Sequence, residues 1–270
     1  MRKSIIIGCG AVALLLSCAK NPFTGKSTLA LVPNSTIFPM AFQQYDSFLK
    51  ENKVIKGTPD AQRVVSVGTK IKNAAEKYLK ANGNSQFLQG YQWEYHLVED
   101  KQVNAWCMPG GKIVFYTGIL PITKDEAGMA TVMGHEVAHA LLEHGRERMS
   151  TDLLQQVAGA GAGIAVSGQN EKTQQLVMQA YGVTTQFFVT LPFSRKHENE
   201  ADEIGLILMA IAGYNPESAI SFWERMAAAG GSAPPQFLST HPSNTTRINN
   251  IKNQIPRAKA EAAKLGVTFK

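Results

Sequence analysis

The 270 residues predict a mostly helical α+β domain with one small antiparallel sheet, on three observations. Short stretches of strand character fall together at 91–98, 103–108 and 113–117, with Pro109-Gly110-Gly111 between the last two as a hairpin turn. Capped segments with helical periodicity lie on both sides of them. Hydrophobic residues make up 44% of the chain against 18% charged, enough for a core, which excludes a disordered, collagen-like or coiled-coil chain.

The elements follow in order. After the basic start at Arg2 and Lys3, thirteen residues, 5–17, form an apolar run. A membrane span needs about 20, so the run reads as a secretory signal. Leu15-Leu16-Ser17 before Cys18 resembles a lipobox. The expected organisation is therefore a lipoprotein signal peptide at 1–17, a tether at 18–33 and a folded domain at 34–270, with an ordinary cleaved signal as the alternative. Asn-Pro, Thr-Gly and Val-Pro turn signals mark the tether. Helices are expected at 35–50 and at 59–80, the second entered through Thr58-Pro59. Past the strands, Thr123 and Glu126 have capping-box spacing and open a helix to about Arg148. Further helices are expected at 151–166, 171–189, 195–212, 216–229 and 242–254. The Gly/Ala-rich stretch 157–168 reads as a closely packed helix or a connection, being too short to span a membrane.

The formal charge of +6 falls to about +4 without the leader, and no dense Lys/Arg block accompanies it, so nucleic acid is not the expected partner. Three cysteines build no disulfide framework, and only Cys107 lies in the body, where it is given no role. Gly25-Lys26-Ser27 has Lys20 where a phosphate loop needs glycine, and no Gly-x-Ser-x-Gly elbow supports a serine hydrolase.

The chemistry concentrates at His135-Glu136-Val137-Ala138-His139. Residues four apart share a helix face, so His135 and His139 can present two imidazole nitrogens to one tetrahedral zinc ion. Glu136 points aside from them and reaches a water on the open side of the metal as general base. A third donor is needed, and the helix around Glu198 offers several carboxylates. At about 100° per residue, Asn199, Glu200 and Glu203 fall on its polar arc, whereas Glu198 and Asp202 lie within or beside the apolar arc, where an unpaired carboxylate is costly. Glu198 is the expected ligand, Asp202 a partner orienting a ligating histidine, and Glu200 and Glu203 solvated side chains. His241, on a loop entering a helix, would cover the metal's open position or be an ordinary loop residue. Arg247 either neutralises charge on a tetrahedral intermediate or makes a surface salt bridge. His144 falls on the side of its helix opposite His135 and reads as structural, as does His96 on its strand.

With these pieces in place the chain resembles the zinc metallopeptidases of family forty-eight, the gluzincins that include HtpX, the CAAX prenyl proteases and the OMA-type proteases. It is most similar to their lipid-anchored envelope branch typified by BepA and LoiP. The matching segments are Asn21 to Lys26, NAWCMPGGKIVFYTGIL from Asn104, HEVAHALLEHGRERMS from His135, LPFSRKHENEAD from Leu191 and LSTHPSNTTRI from Leu238. The resemblance implies a zincin-like metallopeptidase domain with one zinc ion per chain on His135, His139 and Glu198, and Glu136 as base. It also implies that Asp202 supports the site, that His241 approaches the metal and restrains activity, and that Arg247 belongs to the same closing motif. The 104–117 hairpin would match the edge strand along which substrate lies. The function so implied is an endopeptidase acting on misfolded or unassembled envelope polypeptides from the periplasmic face of the outer membrane, held there through lipidated Cys18. The rival reading is a chaperone or assembly lipoprotein whose zinc site stays closed under His241.

Overall fold

The computed structural model describes residues 18–159, 193–229, 235–241 and 245–268. The expected helix at 171–189 and residues 160–166 of that at 151–166 lie outside these residues.

A hairpin of β1 (Cys18–Lys20) and β2 (Ser27–Leu29) comes first. Helix α1 (Asn34–Glu51), strand β3 (Val54–Ile55) and helix α2 (Pro59–Ala81) follow. Thr58 caps α2 by accepting the Ala61 N–H at 3.2 Å, with Pro59 at its first position. Strands β4 (Glu94–Val98), β5 (Ala105–Met108) and β6 (Lys112–Tyr116) complete a four-stranded sheet of order β3-β4-β6-β5.

The hairpin of β5 and β6 is antiparallel as expected, and its turn needs Gly110 and Gly111, whose φ values are +83° and +87°. The sheet as a whole is mixed, because β4 runs parallel to β6. Residues 99–104 carry the chain back across the sheet, so β5 takes the edge and β6 fills the slot beside β4. One face, with Leu97, Ile113 and Phe115, packs on the helical core; the other, with Trp106, Met108 and Val114, packs on Ala41 and Tyr45 of α1.

A short helix α3 (Leu120–Thr123) leads into α4 (Glu126–Leu141). The capping-box expectation fails in detail. Asp125 is the cap, accepting the Gly128 N–H at 2.8 Å, while Thr123 turns back to Leu120 and Glu126 binds Lys70 and Tyr214. The helix also stops short of Arg148. Glu143 takes a left-handed φ of 57°, and a new helix, α5 (His144–Gly159), begins there. Helices α6 (Arg195–Ile211), α7 (Ser218–Ala228), α8 (Gln236–Thr240) and α9 (Thr245–Lys264) complete the described fold. The last runs ten residues past the expected end, carrying Pro256 inside it.

Helix α4 is the centre of the molecule: residues 128–139 are all buried, enclosed by α2, α6, α7 and β5. It crosses α6 at glycine on both sides. A Cβ on Gly134 would stand 2.7 Å from the Gly205 carbonyl oxygen, and one on Gly205 would stand 2.9 Å from the Gly134 carbonyl carbon and the His135 nitrogen. Only backbone fits there, which brings the two helices' polar residues within reach of one another.

Residues 21–32, expected within a tether, lie against the body. Asn21 is buried and donates to the Leu141 carbonyl at 2.7 Å, and Phe23 stacks on Tyr78 in the main core. An apolar ring finds more stabilisation in the core than in water.

Candidate metal centre

His135 and His139 stand one turn apart on α4, Glu198 lies in the first turn of α6, and His241 follows α8. All four are buried, and one donor atom from each lies within 4.8 Å of every other. His139 Nε2 is 3.2 Å from His135 Nε2, which is 3.1 Å from His241 Nδ1. Glu198 places Oε1 3.0 Å from His241 Nδ1 and 3.3 Å from His139 Nε2, and Oε2 3.5 Å from His135 Nε2.

This donor set fits zinc. Ligands at about 2.0–2.1 Å from a tetrahedral zinc lie roughly 3.3 Å from one another, the spacing found here. The outer ring nitrogens have partners of their own. His135 Nδ1 is 2.9 Å from Asp202 Oδ1, and His139 Nδ1 is 3.0 Å from His144 Nδ1. With protons on those outer nitrogens, the two Nε2 atoms face each other as bare lone pairs, which a cation between them would satisfy.

Arg247, on α9, is buried, so the surface salt-bridge alternative fails. Its Nε and one terminal nitrogen donate to the two Asp202 oxygens at 2.8 and 2.7 Å. The other terminal nitrogen lies 3.0 Å from Glu198 Oε2 and donates to the His241 carbonyl at 3.2 Å. The guanidinium stacks 3.6 Å over the Trp223 ring. One arginine thereby joins α6, α9 and the segment bearing His241.

Burial by itself raises the carboxyls, but the surrounding groups overcome it in two cases. His241, His135 and His139 hold Glu198 well below the usual carboxylate range, and Arg247 with His135 lowers Asp202. Glu136 is different: burial pushes it up to about 7, with His241 opposing. It receives a backbone hydrogen bond from Cys107 on β5, and its Oε1 lies 3.4 Å from His241 Nε2.

Two expectations are corrected. Glu200 is only 12% exposed at its side chain, bound by Lys26 Nζ at 2.5 Å and placed 3.4 Å from His144 Nε2. Those two contacts, His144 first, bring its carboxyl down to about 2. His144 does not face away from the site but reaches His139, because the break at Glu143 reverses the direction a continuous helix would give it. Glu203 pairs with Arg257 at the surface, and His96 accepts or donates to Tyr45 Oη at 2.7 Å away from the site, as a structural residue should.

Comparison with known proteins agrees with this geometry. The profile of peptidase family M48 matches residues 68–255, which include all four donors, Glu136, Asp202 and Arg247. Mitochondrial metalloendopeptidase OMA1 of Arabidopsis thaliana is 39% identical over 177 residues, covering 66% of this chain and 34% of that protein. OMA1 of Saccharomyces cerevisiae is 35% identical over 208 residues, 74% of this chain and 57% of the relative. Metalloprotease YcaL of Escherichia coli is 23% identical over 256 residues, 94% of this chain and 98% of YcaL. The chain thus spans between a third and just over half the length of these two mitochondrial relatives, and nearly all of the bacterial one. With the profile covering well over half of the sequence and the donors converging inside it, the chain belongs to peptidase family M48, a family of zinc metallopeptidases.

Proposed function

We propose that the chain is a zinc-dependent endopeptidase of the bacterial cell envelope that hydrolyses misfolded or unassembled envelope polypeptides and rests in a closed state. His135, His139 and Glu198 are the metal ligands, and Glu136 is the base. A zinc ion held there supplies the Lewis acid that makes water nucleophilic near neutral pH and polarises the scissile carbonyl. Glu136 takes a proton from the attacking water and returns it to the leaving amine. Asp202 accepts the His135 Nδ1 proton and keeps Nε2 aimed inward, while Arg247 holds both carboxylates in place. Reaching an oxyanion would require Arg247 to give up one of these bonds.

The observation that carries the reading is the His241 imidazole, which stands 3.0–3.1 Å from two other donors and 3.4 Å from Glu136 Oε1. Four protein donors close a zinc site, whereas catalysis needs one position for water, so His241 must withdraw before Glu136 has a proton to remove. The lipobox-like residues before Cys18 support a lipid anchor, with 1–17 as leader and the domain from residue 34. No described helix is long and apolar enough to cross a membrane.

Cleavage of casein by wild type, Glu136→Gln and His241→Ala tests this. Turnover that rises in His241→Ala and vanishes in Glu136→Gln is expected. Absence of cleavage in every form, with zinc bound, would favour the chaperone or assembly reading.

A further inference from the structure

The tether motif Asn21 to Lys26, the supposedly structural His144 and the supposedly solvated Glu200 meet on the far side of His139. Lys26 Nζ donates to Glu200 Oε1 at 2.5 Å, Glu200 Oε2 lies 3.4 Å from His144 Nε2, and His144 Nδ1 lies 3.0 Å from His139 Nδ1. His144 is 1% exposed, with its ring stacked on His197 at 4.3 Å. Asn21 caps the end of α4 at Leu141, just before the left-handed Glu143 that turns His144 toward His139.

From this chain of contacts we infer that His144 and Glu200 are positioning residues for the zinc ligand His139. The inference rests on the zinc reading above. A His139 that presents Nε2 to a metal carries its proton on Nδ1, where the neighbour in reach is His144 Nδ1. That nitrogen must accept, so the His144 proton sits on Nε2, and Glu200 is the carboxylate placed to receive it. Every proton in the chain then has one place, fixed by a carboxylate that Lys26 neutralises from the N-terminal segment. His135 has its own carboxylate, Asp202, directly on Nδ1. His139 reaches its carboxylate through an intervening imidazole. Partners of this kind fix ring orientation and raise ligand basicity, and their loss typically weakens metal binding 10–100-fold.

The test compares wild type, His144→Leu, His144→Asn and Glu200→Gln. Zinc affinity is read by chelator competition, the visible spectrum is taken with cobalt in place of zinc, and thermal unfolding serves as a folding control. Leucine fills the space of His144 without an acceptor, whereas the asparagine oxygen falls near the position of Nδ1 and can accept from His139. Positioning predicts zinc binding 10–100-fold weaker in His144→Leu with an altered cobalt spectrum, recovery of most of the affinity in His144→Asn, and a several-fold loss in Glu200→Gln. A packing role predicts the reverse order, leucine equal to wild type and asparagine worse, and that result overturns the inference. Should His144→Leu fail to fold, an unchanged affinity in Glu200→Gln, which lies nearer the surface, overturns it equally. Wild type that does not take up one zinc refutes the metal reading itself, an outcome distinct from wild-type binding that the variants share.

Discussion

Replacing Gly134 by alanine tests whether the crossing of α4 and α6 sets the metal geometry. The added Cβ would lie 2.7 Å from the Gly205 carbonyl oxygen, against about 3.4 Å for ordinary contact, so the helices must separate by about 0.7 Å. Both sides of the contact are backbone, and no side chain can rotate away. His135 adjoins Gly134, and Glu198 lies two turns before Gly205, so the separation falls between ligands contributed by the two helices. Zinc sites tolerate about 0.2 Å in ligand distance. Alanine outranks glycine in a helix interior by about 1 kcal/mol, whereas overpacking costs about 1–3 kcal/mol, so the two effects oppose each other. The expected outcome is a Tm unchanged or lowered by a few degrees, with zinc bound at least tenfold more weakly in chelator competition. Gly205→Ala, with contacts at 2.9 Å, should do the same to a lesser degree. A raised Tm with wild-type zinc affinity would show the helical gain acting alone and would refute the argument.

Zinc removal should lower the unfolding temperature, and Tm should rise with free zinc, since a ligand at a thousand times its Kd stabilises by about 4 kcal/mol. A melt indifferent to chelator would contradict this. Arg247→Met leaves the Asp202 and Glu198 carboxylates buried beside the imidazoles without their guanidinium, and should cost about 3–5 kcal/mol in denaturant unfolding. In the metal-free protein, burial brings His144 from 6.5 down to about 4, with Glu200 opposing. A depressed histidine favours the folded state fully above pH 6.5 and loses that contribution as pH falls toward 4, about 3 kcal/mol at most. Denaturant midpoints measured across this window should fall more steeply in wild type than in His144→Asn, and parallel slopes would exclude His144 as the source.

The helical wheel turned Glu198 and Asp202 inward because their burial is written in the neighbouring apolar residues, and the His-Glu-x-x-His spacing put His135 and His139 on one face of α4. These are local periodicities, legible in the chain itself. The parts that were missed depend on contacts remote in sequence. Nothing around Leu142 and Glu143 announces a left-handed break, because glutamate there has no intrinsic preference for φ above zero, and a continuous helix sends His144 away from the site. Glu200 lies on the polar arc as read, yet Lys26, 174 positions distant, and His144 cover that arc. The docking of the Asn21 to Lys26 segment is hidden for the same reason, since Asn21 and Phe23 are buried by Leu141 and Tyr78, partners remote in sequence. The parallel pairing of β4 with β6 escaped notice for a similar reason, since alternation within a strand carries no information about its neighbour.

The buried polar groups have an energetic consequence that joins fold and site. Three imidazoles, the carboxylates of Glu136, Glu198 and Asp202 and the Arg247 guanidinium lie together out of water, at a desolvation cost that apolar packing around them does not return. Hydrogen bonds satisfy the outer atoms, through Asp202, His144 and Arg247, whereas the inward Nε2 atoms of His135 and His139 crowd against each other, His241 Nδ1 and the Glu198 carboxylate, a cluster of donor atoms that a cation would satisfy. The cation is what makes this interior favourable, so metal binding, the approach of α6 to α4 and the seating of His241 should form one cooperative unit. Under the proposed function, withdrawal of His241 would exchange one donor for water without dismantling the rest, because Arg247 holds Glu198 and Asp202 from the opposite side.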